Sequence, residues 1–198
     1  KRNLLLKEKH VLEIYDPVSG LFNRRYFRQK LDEEVSRSRR IKLPVSVVVI
    51  DLDRFRKLNT AIGARSADTI LRMIGMILKK TTRATDIIAR TGPDEIMFIL
   101  PHTDHLGAAV KAERIRRMIE TTKFPVLENQ EMNHLSVSVG VSEYPSFCND
   151  AESLLKSCDE ALFQVKQAGG NRVCISSPPM GFQPDFSVRV QMKELARD

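Results

Sequence analysis

No run of apolar residues in this 198-residue chain approaches the roughly 20 that cross a bilayer; the longest uncharged apolar stretch is Leu43 to Ile50. Neither a membrane span nor a signal peptide is therefore expected. Cysteine is scarce. Cys148, Cys158 and Cys174 are odd in number and form no CxxC pair, which argues against a disulfide framework and a thiolate zinc site. The reducing cytoplasm is the expected compartment. Histidine supplies no alternative metal site, because His10, His102, His105 and His134 show no paired ligand spacing on a predicted helix. Aromatic residues make up only 6% of the chain, and none interleaves with the basic cluster Arg37, Arg39, Arg40 and Lys42. The stacking surface that single-stranded nucleic acid wants is missing, so no nucleic-acid partner is expected. The net charge of +7 then leaves a solvated helix end or attraction for an anionic ligand as its meaning.

What is present is ordinary for a globular fold: 42% hydrophobic and 29% charged residues. The length fits one domain with appendages. The first residue is Lys1 rather than Met, so the chain is expected to continue a longer protein. Leu5, Leu12 and Tyr15, with Glu8 at the polar fourth place, have heptad-like spacing. Residues 1–15 are accordingly expected to end a signalling helix from an upstream sensor or dimeriser.

Beyond Pro17, Gly20 and Asn23, the apolar residues Phe27, Leu31 and Val35 mark one face of a helix. Val45 to Ile50, bounded by Pro44 and Asp51, reads as a buried central strand whose end presents Asp51 and Asp53. Ile70, Leu71, Ile74, Ile77 and Leu78 form a helical stripe. Ile87 to Arg90 and Ile96 to Leu100 read as two strands of a hairpin. Helices around Leu106 to Ile119 and Leu154 to Val165 alternate with strands at Leu135 to Val141 and Arg172 to Ile175. From the first strand onward the order is β-α-α-β-β-α-β-α-β, an α/β sandwich with helices covering a mixed central sheet. Met73, Met76 and Met118 fall on apolar stripes and read as core. Residues 176–198, opening with Ser176-Ser177-Pro178-Pro179, are expected to be a linker or tail that leaves the domain.

Four separated segments resemble one family in order and spacing. They are Asp16 to Phe27 (DPVSGLFNRRYF), Asp51 to Asn59 (DLDRFRKLN), Arg90 to Ile96 (RTGPDEI) and Asp159 to Lys166 (DEALFQVK). Together they are similar to the GGDEF domains of bacterial diguanylate cyclases, over residues 16–175. The resemblance implies a palm-like sheet and the condensation of two GTP molecules into cyclic di-GMP with Mg²⁺ or Mn²⁺. It implies that Asp51 and Asp94 hold metal, with Glu95 as the second acidic hairpin residue. It also implies that Asn59 and Asp68 read guanine and that Lys166 contacts phosphate. Carboxylates suit this work because they can hold a hard cation against a triphosphate and accept guanine N–H donors. Without the resemblance, Asp51 and Asp53 are a solvated strand end, Asn59 a turn or cap residue and Lys166 an exposed helix lysine.

The departures from the family pattern bear on activity. The signature reads Gly92-Pro93-Asp94-Glu95-Ile96, without the second glycine and the phenylalanine. Proline fixes φ near −65° and has no N–H, so the turn is expected to rearrange and redirect Asp94. Thr60 replaces an aspartate, Ala64 a histidine, Ala67 a glycine and Gly170 an arginine. The last removes a bidentate phosphate partner that a lysine cannot mimic.

Arg83 and Asp86 sit at the spacing of the family's RxxD inhibitory site for cyclic di-GMP, and Arg114 falls where the family often supplies a second arginine. An ordinary surface Arg–Asp pair is the bland alternative. The resulting expectation is a degenerate GGDEF domain that binds cyclic di-GMP through Arg83, Asp86 and Arg114 without working efficiently as an enzyme. Ligand would join two domains or expose a surface for a protein partner. Two alternatives stand beside it: an active diguanylate cyclase with product inhibition, and a GTP-binding regulatory domain without turnover.

Overall fold

The computed structural model describes residues 14–127 and 134–187. Leu5 and Leu12 of the expected signalling helix lie outside them. Tyr15 forms a bridge with Phe22 and stacks on its ring at 5.0 Å.

The elements are β1 (Phe22–Asn23), α1 (Arg24–Ile41), β2 (Val45–Leu52), α2 (Phe55–Ile62), α3 (Ala64–Thr81), β3 (Ile87–Arg90), β4 (Glu95–Pro101), α4 (His105–Thr121), β5 (Val137–Tyr144), α5 (Ala151–Gln167) and β6 (Val173–Ile175). They build a six-stranded sheet in the order β1-β3-β4-β2-β5-β6. β2 is central and antiparallel to both β4 and β5, with Asp51 opposite Glu95 on one side and Ser138 on the other. The outer pairs β1–β3 and β5–β6 are parallel, so the sheet is mixed as expected.

Alternation along β2 divides the core between the two faces. Val47 and Val49 pack with Phe27 and Leu31 of α1 and with Leu154 and Cys158 of α5. Val48, Ile50 and Leu52 pack with Ile70 and Ile74 of α3 and Ile115 of α4. Local chemistry marks the helix ends. The Asn23 side chain caps α1 by accepting from Tyr26 N–H, and α1 stops at Lys42 in the left-handed region. Asp104 caps α4, and Asp150 with Ser153 forms a capping box on α5. Among the described residues no helix is long and apolar enough to cross a membrane.

Two features depart from the sequence reading. β1 has only two residues, too few to show a period, and it joins the sheet by pairing with β3. The segment after β6 does not leave the domain as far as it is described. Tyr144 Oη donates to Asp185 at 2.7 Å, Arg39 pairs with the same carboxylate at 3.0 Å, and Phe186 meets the Tyr144 ring edge-on at 5.9 Å. The cause is a buried tyrosine whose hydroxyl needs a partner at the edge of the core, which the linker-like composition conceals.

Candidate functional site

The C-terminal end of β2, the β3–β4 hairpin and the turn after α5 enclose a cavity of about 750 Å³, lined by Asp51, Asp53, Asp94, Ser136, Lys166 and Gly170 among others. Lys166, in the last turn of α5, places Nζ 2.7 Å from Asp51 Oδ2. Burial pushes the Asp51 carboxyl above its ordinary range; Lys166 pulls it back, while Asp94 and Asp53 add to the rise. Asp53 serves a different purpose. It accepts from Ser136 Oγ at 2.7 Å, Ser138 Oγ at 2.6 Å and Asn171 N–H at 3.2 Å, so it pins the turn that follows α5.

The hairpin forms without a positive φ at Gly92, Pro93 or Asp94. Its closing bonds run from the N–H groups of Thr91 and Gly92 to Glu95 O, at 3.0 and 3.3 Å. Arg90 replaces the lost turn chemistry: Nε donates to Gly92 O at 3.1 Å, Nη2 to Pro93 O at 2.7 Å, and Nη1 reaches Asp16 at 3.3 Å. Leu52 N–H donates to Asp94 O at 3.0 Å, tying the hairpin to the end of β2. The redirection expected of Pro93 therefore does not carry Asp94 away, and Asp94 still lines the cavity with Asp51.

Of the other residues singled out, Glu95 does not line the cavity. It accepts from Thr91 Oγ1 at 2.6 Å and lies near Asp159, whose carboxyl is raised by burial and then by the Glu95 charge. Asn59 is exposed on α2, its carbonyl accepting from Gly63 N–H at 2.9 Å. Asp68 is half-buried on α3. Neither lines the cavity. His134, read as a loop residue, does line it, as do Arg54 and Ser136. Arg54 belongs to the Asp51–Asn59 segment, whereas His134 and Ser136 carry no local sequence signal.

Asp51 and Asp94 fit Mg²⁺ or Mn²⁺ as far as donors go. Mg²⁺ commonly takes one or two carboxylates and completes its shell with water and substrate phosphate. Among the described residues no group of three or more His, Cys, Asp or Glu side chains is placed to hold a metal by itself. Lys166 contacts Oδ2 of Asp51.

Gly170 explains why its position is not a simple loss of arginine. Its φ is +79°, and a Cβ there would lie 3.1 Å from both Asp53 Oδ1 and Ser138 Oγ. Gly170→Arg is expected to lower stability by about 1–2 kcal/mol, the cost of an L side chain in the left-handed region. Urea denaturation would show it as a lower midpoint; an unchanged midpoint would mean that the turn relaxes freely.

A second cavity, of about 410 Å³, opens between the end of α3 and α4 and brings together Arg83, Asp86 and Arg114, with Lys80 and Lys111 beside them. Arg83 to Asp86 is a closed turn: Arg83 N–H donates to Asp86 Oδ2 at 3.0 Å, and Asp86 N–H to Arg83 O at 3.1 Å. Arg83 and Arg114 are exposed, and among the described residues neither guanidinium enters an ion pair.

A mixed sheet between helical layers, with acids at a central strand end and in the adjoining hairpin, defines the palm-like class of α+β domains. Within that class, the family model "Diguanylate cyclase, GGDEF domain" matches residues 13–172, and the chain belongs to this family. Response regulator PleD of Caulobacter vibrioides is 37% identical over 162 residues, covering 82% of this chain and 36% of PleD. Diguanylate cyclase DosC of Escherichia coli K12 is 32% identical over 158 residues, covering 80% of this chain and 34% of DosC. The chain thus spans about a third of the length of these curated relatives. The crystal structure of the coiled coil and GGDEF domain of DgcB from Caulobacter crescentus, in complex with c-di-GMP, is similar with a TM-score of 0.78 at 23% identity. It covers 88% of this chain and 91% of that one, a likeness of fold.

Proposed function

We propose that this chain is a degenerate GGDEF domain that acts as a receptor for cyclic di-GMP in bacterial second-messenger signalling, binding it between Arg83, Asp86 and Arg114. The observation that carries the reading is the meeting of these three residues at one cavity, with neither guanidinium fork in an ion pair among the described residues. Such forks match guanine O6 and N7 or phosphate oxygens, and the carboxylate accepts guanine N–H donors. The substrate side is weaker. Gly170 supplies no arginine, the candidate guanine readers Asn59 and Asp68 stand off the cavity lining, and Lys166 pairs with Asp51. Ligand would act by joining two domains or by exposing a partner surface, either of which requires different affinities for two states.

A second reading, an active diguanylate cyclase with product inhibition, is favoured by one observation: Asp51 and Asp94 share a cavity despite Pro93. Calorimetry with cyclic di-GMP separates the readings when paired with GTP turnover in Mg²⁺ or Mn²⁺, measured on the native chain and on Arg83→Ala. The receptor reading expects saturable heat in the micromolar range and no cyclic product from either protein. Absence of heat up to millimolar ligand would sink it. Cyclic di-GMP formed by either protein would make the chain an enzyme.

A further inference from the structure

Lys111 belongs to none of the family-like segments. It stands on α4 three residues before Arg114, and its ammonium forms an ion pair with the Asp86 carboxylate inside the second cavity. The pair is sheltered, with the Asp86 side chain 3% exposed and that of Lys111 18%. Both donors to Asp86, the Arg83 N–H and Lys111 Nζ, converge on Oδ2. A guanine edge presents two neighbouring donors, N1–H and N2–H, which match the two oxygens of one carboxylate. One of those oxygens already carries two donors from the chain itself.

Resting on the receptor reading above, we propose that Lys111 is an internal competitor for Asp86: it holds the carboxylate until guanine displaces it, and so sets the affinity threshold of the cavity. A sheltered carboxylate left without its cation is costly, so in a chain lacking Lys111 the guanine donors become the compensation that Asp86 needs. Lys80, Arg83 and Arg114 remain at the cavity to face the ligand's phosphates. Removing Lys111 and removing Arg114 subtract the same charge, yet they act in opposite directions: Arg114 only attracts the ligand, whereas Lys111 must also be evicted by it.

Calorimetry with cyclic di-GMP on the full chain, Lys111→Met and Arg114→Met tests this. Lys111→Met is expected to bind roughly tenfold tighter and Arg114→Met roughly tenfold weaker, sizes typical of gaining or losing one charged contact. Unchanged or weaker binding by Lys111→Met, with Arg114→Met weakened, would overturn the proposal while leaving the receptor reading intact. No binding by any of the three would overturn the receptor reading and this proposal with it. Should Lys111→Met lose its fold, the native chain still decides. The ¹⁵Nζ resonance of Lys111, assigned by its loss in Lys111→Gln, should leave its ion-paired position at ligand saturation; a resonance that stays would overturn the proposal.

Discussion

Arg83→Ala is expected to weaken cyclic di-GMP binding by roughly 5- to 150-fold while leaving the fold intact. A bidentate arginine contact to a base edge contributes about 1–3 kcal/mol, and each 1.4 kcal/mol is about tenfold in affinity. The fold should survive for a specific reason. Arg83 holds Asp86 through its main-chain N–H, which alanine retains, whereas its exposed side chain engages no ion pair among the described residues. Calorimetry together with urea denaturation separates binding from stability. Equal affinity in the variant would mean that the ligand, if bound, sits elsewhere, and the RxxD assignment would fall.

Gly140→Ala should damage the sheet and the carboxylate cavity together. On β5, a Cβ at this position would lie 2.3 Å from Cys158 O and 2.7 Å from Leu162 N, both main-chain atoms of α5. Neither can rotate aside, so α5 must lift from the sheet. Overpacking of this kind costs about 3 kcal/mol at the upper end of its usual range. The lift would also break the sulfhydryl contact from Cys158 to Gly140 O, 3.3 Å in the native chain. Lys166 lies one turn beyond Leu162 on the same helix, so its contact with Asp51 should loosen as well. Without that ammonium the Asp51 carboxyl should rise further, burial being the dominant upward influence already. A large drop in the urea midpoint, with a higher apparent Asp51 pKa by NMR titration, is the expected result. A midpoint within error of the native chain would mean that helix and sheet are not in the close contact described.

The order of strands and helices was legible because hydrophobic period is a local property. Val45 to Ile50 could be read as a buried strand, and Phe27, Leu31 and Val35 as one helix face, from spacing alone. Motif order also brought together Asp51, Asp94 and Lys166, and separately Arg83, Asp86 and Arg114, and the structure places each trio at one cavity. Local rules explain Pro93 only in part. Proline excludes a positive φ, but where Asp94 then lies depends on Arg90 gripping two hairpin carbonyls and on Leu52 N–H holding Asp94 O.

Two further features were decided by tertiary structure alone. Asp185 returns to Tyr144, and Lys111 closes on Asp86. A lysine on a helix or an aspartate in a linker looks the same in sequence whether it is solvated or paired. The pairing follows from which buried groups the packed core leaves unsatisfied, and that exists only once distant segments have come together. Sequence by itself therefore determined the family, the element order and the chemistry available to this protein; the packed fold decided which of those groups are spoken for and which face a ligand.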